Sequence, residues 1–108
     1  MDKTLREICT AEKVSRRAVQ GYEKAGLVSA TGHNNRGYLL YNEAAQRRIA
    51  EIKMYQEFGF TIMEITEIID APRPVLKKAL EDQLVKLRGE TKRLDGVIRR
   101  ACELIERL

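Results

Sequence analysis

The residues best suited to chemistry are the basic and polar side chains in the segment 15–24. Arginine can bind guanine through two hydrogen bonds, glutamine can pair with adenine, and tyrosine or lysine can hold phosphate. Glu23 is the single acidic residue of this segment. The segment could instead be a solvated helix face, but basic residues concentrated at a helix N-terminus, which itself attracts phosphate, favour duplex DNA. The candidate DNA-binding residues here are Ser15, Arg16, Arg17, Gln20, Tyr22 and Lys24.

A second candidate surface follows in the segment LVSATGHNNRGYLLY, residues 27–41. Its β-branched and aromatic ends flank a polar, glycine-bearing centre, which is typical of a β-hairpin. Arg36 lies beside Gly37 and is a candidate for phosphate binding. Tyr38 and Tyr41 complete the candidate DNA-binding set, although aromatic residues at alternating strand positions more often pack against helices.

Other chemistries find little support in the composition. The 108 residues include one histidine and two cysteines, Cys9 and Cys102, which lie too far apart in sequence for a short metal-binding loop. No nucleophile–base pair or phosphate-binding glycine loop is visible in the sequence. We therefore expect that the protein is not an enzyme and binds no metal or cofactor. No apolar run could span a membrane, and no secretory signal begins the chain, so a reduced cytoplasmic location is expected. Twenty basic against sixteen acidic residues are compatible with a nucleic-acid partner.

Two short helices must position the basic segment. Thr4-x-x-Glu7 is a capping box that begins the first helix. Ser15 is a good N-cap for a second helix over Arg16–Lys24, and Gly26 can end it. Because so few residues separate the two helices, the pattern predicts a helix-turn-helix, and the hairpin that follows adds a wing.

Two further helices complete the expected head. Asn42 can cap a third helix that ends near Gly59, with an apolar stripe whose members recur at helical spacing. Thr61-x-x-Glu64 is a second capping box and predicts a fourth helix over Ile62–Ile69. The stripe of the third helix consists of Ala45, Ile49, Ile52 and Tyr55.

The last segment predicts a long helix from Val75 to Leu108, about 51 Å in length. Its apolar residues alternate by three and four positions, which is the pattern of a coiled coil. Because no other long helix exists in the chain, a second copy must cover this seam, and the wider apolar end favours an antiparallel homodimer. The expected dimer interface comprises Leu84, Leu87, Thr91, Leu94, Ile98, Ala101, Ile105 and Leu108.

The predicted fold is therefore mainly α. A winged helix-turn-helix head of four short helices and a small β-hairpin would occupy residues 1–71. A coiled-coil dimerisation helix would occupy residues 72–108.

Three motifs resemble those of MerR-type transcriptional regulators, in the same order and spacing. They are VSRRAVQGYEKAGLV at residues 14–28, GYLLY at 37–41 and FGFTIMEITEII at 58–69. The resemblance implies a homodimer with an antiparallel coiled coil that binds a near-palindromic promoter operator through two winged heads. It also implies that bending and untwisting of the promoter allow RNA polymerase to use it.

The sequence departs from this family's pattern at three positions. The family usually has arginine at the position of Gln20, an aromatic residue at that of Gly21, and arginine in the wing at that of Leu39. Two phosphate-binding charges per head are thus missing, and we expect a short form without an effector domain. The missing charges motivate an alternative function as a protein-interaction adaptor of the co-chaperone modulator type. An excisionase-type DNA-bending factor is a third possibility, against which the dimer seam argues.

Overall fold

The computed structural model describes all 108 residues and confirms the mainly helical class. The chain divides into two units, Met1–Asp70 and Ala71–Leu108. The first unit, called the head below, holds four helices and a three-stranded sheet, and the second is one long helix. In chain order the elements are β1 (Lys3–Thr4), α1 (Leu5–Glu12), α2 (Arg16–Lys24), β2 (Gly32–His33), β3 (Leu39–Tyr41), α3 (Glu43–Glu57), α4 (Ile62–Ile68) and α5 (Arg73–Arg107).

The first four helices begin at the predicted caps. Both capping boxes are formed in full, by Thr4 with Glu7 in α1 and by Thr61 with Glu64 in α4. The Ser15 hydroxyl accepts a hydrogen bond from the Ala18 amide at 3.0 Å, and Asn42 caps α3 in the same way. Each cap satisfies a backbone N–H that the first helical turn would otherwise leave without a partner.

A tight turn joins α1 to α2 and completes the predicted helix-turn-helix. Lys13 ends α1 in the left-handed region, with φ 54°, and its backbone N–H donates to the Cys9 carbonyl. The Val14 amide also donates to that carbonyl, at 3.2 Å. Both bonds satisfy one carbonyl in the last turn of α1 while the chain reverses, and α2 begins after only three connecting residues.

The wing is larger than the sequence predicted. The hairpin of β2 and β3 is present, but β1 pairs antiparallel with β3 on its other edge, giving the order β1-β3-β2. Lys3 lies opposite Tyr41, and Thr4 lies opposite Leu40. Because a third strand covers β3, the wing is tied to the start of α1 instead of standing free.

The core of the head lies between the helices and the inner face of β3. The predicted stripe of α3 is buried throughout, and Ile8, Val19 and Ile65 complete the fully covered aliphatic residues. Arg48 of α3 reaches across the edge of this core. Its guanidinium donates to the Leu27 carbonyl at 2.9 Å and to both carboxylate oxygens of Asp70 at 2.9 and 2.6 Å.

The second unit is almost entirely α5, a helix of 35 residues and about 52 Å. It begins at Arg73, two residues before the predicted start, because Pro74 fits the first turn of a helix, where no amide partner is needed. No residue of α5 is buried. Its apolar seam is therefore open in the single chain, with Leu94 49% and Ile98 59% exposed.

Candidate nucleic-acid interface

The side chains of α2 divide into a buried face and an exposed face. Val19 and Tyr22 point into the core, whereas the basic side chains and Gln20 face outward. Ser15 is exposed at the start of the helix, although its hydroxyl is engaged in the cap. The exposed members of the predicted set on this helix are Arg16, Arg17, Gln20 and Lys24.

Two tyrosines of the predicted set are buried in the head, which argues against their assignment as DNA contacts. Tyr22 is 1% exposed and Tyr41 is fully covered. The Tyr22 hydroxyl donates to Gln56 Oε1 at 2.5 Å, and burial raises its pKa. The Tyr41 hydroxyl donates to Glu23 Oε1 at 2.6 Å, and burial together with that carboxylate raises its pKa. Both rings therefore stabilise the head from inside.

The Tyr41 bond also changes the electrostatics of α2. Glu23 was the one acidic residue expected to oppose the basic face, and the structure shows its carboxylate turned to a buried hydroxyl. No ion pair of the chain involves Arg16, Arg17 or Lys24. The positive charge of the exposed face is thus available to an anionic partner.

The remaining wing residues of the predicted set are on the surface. Arg36 is exposed, and Tyr38 is 59% exposed. The Asn34 side chain shapes this tip, since its Oδ1 accepts from the amides of Arg36 and Tyr38 at 2.9 and 3.0 Å. Gly37 adopts φ 80°, a left-handed conformation that lets the chain turn between them.

A cleft of about 570 Å³ separates the wing from the helix-turn-helix. Its walls are the first residues of α1, Arg16 at the start of α2, and residues 37–39 of the wing. Arg6 lines this cleft, although no sequence motif marked it as a candidate. Arg6 is exposed near the start of α1, and the pairing of β1 with β3 brings this part of the chain beside the wing.

The structure offers no metal-binding cluster and no membrane-spanning helix. No group of three or more His, Cys, Asp or Glu side chains could hold a metal ion. Cys9 is half-buried and Cys102 is exposed, both as free thiols. None of the helices combines the length and apolar character needed to cross a bilayer.

Comparison with known proteins shows to which family the chain belongs. The family model described as MerR HTH family regulatory protein matches residues 3–72, which is most of the chain. The chain belongs to the MerR family. The resemblance carried by the three sequence motifs is thereby confirmed.

Curated relatives extend this MerR assignment into α5. The HTH-type transcriptional activator mta of Bacillus subtilis (strain 168) is 30% identical over 98 residues, covering 91% of this chain and 38% of the relative. Nodulation protein NolA of Bradyrhizobium sp. (strain NC92) is 28% identical over 102 residues, covering 94% and 40%. The chain thus spans about two-fifths of the length of these MerR-type relatives.

Solved structures show the same MerR architecture. The N-terminal part of the multidrug transporter activator of Bacillus subtilis, MtaN, has a TM-score of 0.72 at 27% identity and covers 95% of this chain and 97% of that one. A MerR family regulator from Bacillus cereus has a TM-score of 0.80 at 24% identity, with coverages of 95% and 79%. HiNmlR, a MerR regulator lacking the sensor domain and bound to promoter DNA, has a TM-score of 0.71 at 16% identity, with coverages of 91% and 79%. The last two likenesses concern the fold alone.

Proposed function

We propose that this MerR-family chain is a transcriptional regulator that binds duplex DNA as a homodimer at a near-palindromic promoter site. The observation that carries the proposal is the exposed basic face of α2, from which Arg16, Arg17, Gln20 and Lys24 project with no acidic partner. A helix of this kind fits the major groove, where arginine and glutamine can read base edges.

The proposed roles follow from the position of each side chain. Arg16, Arg17 and Gln20 lie within the first five residues of α2 and would contact base edges, as in other helix-turn-helix proteins. Lys24 at the end of α2 would hold phosphate. Arg36 and Tyr38, exposed near the wing tip, would contact the sugar–phosphate backbone beside the groove.

The homodimer is proposed on the exposed seam of α5. Leu84, Leu94, Ile98 and Ile105 are each between 44% and 69% exposed, which is costly for large apolar side chains in water. An antiparallel pairing centred near Thr91 would bury them against the same residues of a second copy. Two-fold symmetry of that kind would present two heads to two half-sites, which explains the expected near-palindrome.

The comparisons support a regulator over the adaptor alternative. The relatives and neighbours described above are named as regulators, an activator or a nodulation protein, and HiNmlR was solved on promoter DNA. None is named as a chaperone modulator. The family resemblance further extends the proposal to RNA polymerase as a partner at the promoter.

Capture of sheared genomic DNA on the purified chain tests this proposal. The matched variant carries Arg16→Ala and Arg17→Ala, which remove two exposed charges and leave the core intact. Two exposed residues of α5, Arg99 and Arg100, provide a control pair when both are changed to alanine. Enrichment of a near-palindromic promoter site by the wild type and control, but not by the Arg16/Arg17 variant, is expected. Equal capture by all three proteins contradicts the assignment of α2 as the recognition helix.

A further inference from the structure

The cleft between α1 and the wing contains one positive charge, that of Arg6, which the proposed function does not use. Arg6 lines it from α1 and Arg16 lines it from α2, while Gly37, Tyr38 and Leu39 form the opposite wall. The two arginines come from different helices and are ten positions apart in sequence. The fold alone therefore places both guanidinium groups beside one opening.

Neither arginine of the cleft is neutralised by the protein. No ion pair involves Arg6 or Arg16, and no acidic residue lines the cleft. The nearest acid along α1, Glu7, accepts hydrogen bonds from the Thr4 amide at 2.9 Å and the Thr4 hydroxyl at 3.1 Å. These bonds lower its pKa and hold its carboxylate in the capping box. The cleft is thus complementary to an anion.

The side chains around the cleft also suit one kind of anion. Arginine binds phosphate through paired hydrogen bonds, and the exposed Tyr38 can donate its hydroxyl to a phosphate oxygen. Gly37 also lines the cleft and has no side chain. Because Arg16 belongs both to this cleft and to the exposed face of α2, the cleft is continuous with the proposed DNA-binding surface.

We infer that the cleft receives the sugar–phosphate backbone of the bound duplex, and that Arg6 is a DNA-contact residue. The inference rests on the proposed function and adds a DNA contact from α1, which no sequence motif indicated. It also bears on the departure from the family pattern in the wing, since Leu39 stands where the family usually carries arginine. Arg6 supplies a positive charge to the same cleft that Leu39 lines.

Salt dependence of DNA binding tests this assignment without knowledge of the operator. Affinity for a mixed-sequence duplex is measured at several salt concentrations by fluorescence anisotropy, for the wild type, Arg6→Gln and Arg6→Lys. Glutamine, lysine and arginine have similar helix propensities, so α1 should persist, and thermal melting verifies this. Arg93→Gln is the matched control, because it removes the same positive charge from an exposed residue of α5.

The expected result is a shallower slope for Arg6→Gln, by about 0.9 in log–log units for each phosphate that the variant no longer neutralises. Arg6→Lys should have the same slope as the wild type, because lysine retains the positive charge. If the wild type binds but Arg6→Gln has an unchanged slope, or Arg93→Gln shows an equal decrease, the cleft assignment is overturned and the proposed function stands. If the wild type does not bind duplex DNA at all, both the cleft assignment and the proposed function are wrong.

Discussion

Three tyrosines show how strongly a residue's role depends on where the fold places it. Tyr22, Tyr38 and Tyr41 can all donate a hydroxyl to phosphate, and the sequence motifs do not separate them. In the structure two are buried and hydrogen-bonded to protein side chains, and only Tyr38 is open to a ligand. Their partners, Gln56 and Glu23, lie 34 and 18 positions away, so no local pattern could reveal the bonds.

Substitution of phenylalanine for tyrosine distinguishes these roles. Tyr22→Phe leaves the buried ring in place but removes the donor to Gln56, and should lower the free energy of unfolding by about 0.5–1.5 kcal/mol. Its DNA affinity should be unchanged under conditions where the variant is folded. Urea unfolding followed by circular dichroism, together with anisotropy on duplex DNA, measures both quantities.

Tyr38→Phe is the matched control, because it removes a hydroxyl from an exposed ring. It should leave the free energy of unfolding unchanged and weaken DNA binding. If Tyr22→Phe has the stability of the wild type but a lower DNA affinity, the Tyr22 hydroxyl contacts DNA and the structural role assigned to it is wrong.

Elements whose signals are local could be predicted from the sequence, and those that depend on distant partners could not. The capping pairs Thr4/Glu7 and Thr61/Glu64 lie within one helical turn, so they located α1 and α4 correctly. Strand β1 has only two residues and shows no periodicity. It exists because Lys3 and Thr4 meet β3, and that pairing also carries Arg6 to the wing.

The cap of α4 provides a test at this scale. Thr61→Ala removes the acceptor of the Glu64 amide and one half of the capping box, and should cost about 0.5–2 kcal/mol of stability. Thr66→Ala serves as the control, because its hydroxyl only donates to the Ile62 carbonyl within the helix. The midpoint of chemical denaturation should be clearly lower for the Thr61 variant than for the Thr66 variant. Equal midpoints would show that α4 is held by packing alone.

The Arg48–Asp70 ion pair joins α3 to the end of the head after α4, and we expect it to make stability depend on pH. The hydrogen bond from Arg48, reinforced by its charge, lowers the pKa of Asp70. The pair therefore contributes stability above the ordinary aspartate pKa, and this contribution is lost as pH falls through the lowered value. The difference in unfolding free energy between wild type and Asp70→Asn should thus shrink on acidification.

Urea titrations at a series of pH values measure this difference. Glu67→Gln, a change at an exposed carboxylate outside any ion pair, is the reference variant. A difference for Asp70→Asn that stays constant across the acidic range would contradict the proposed contribution of the pair.

At the scale of the whole molecule, the single chain leaves the apolar seam of α5 in contact with solvent, because none of the helix's residues is buried. The heptad spacing predicted where its apolar residues lie, and the proposed dimer is the simplest way to remove them from water. Leu94→Asp should therefore convert a dimer to a monomer or unfold α5. Sedimentation velocity measures the mass, and circular dichroism reports the helix content.

Val85→Asp is the control for that experiment. Val85 is 71% exposed and lies beside the seam but outside its three-four pattern, so its charged variant should remain dimeric. A Leu94→Asp protein that sediments as a dimer would mean that the subunits associate through another surface.

The position of β1 also determines the order in which the head can fold during synthesis. Residues 3–4 emerge from the ribosome before their partner strand, which ends at Tyr41. The contacts between α1 and α2 are closer in sequence and can form earlier, whereas the sheet must wait for this distant pairing. Since α5 follows the whole head in the chain, each nascent chain can complete its wing before α5, the helix of the proposed dimer, is available.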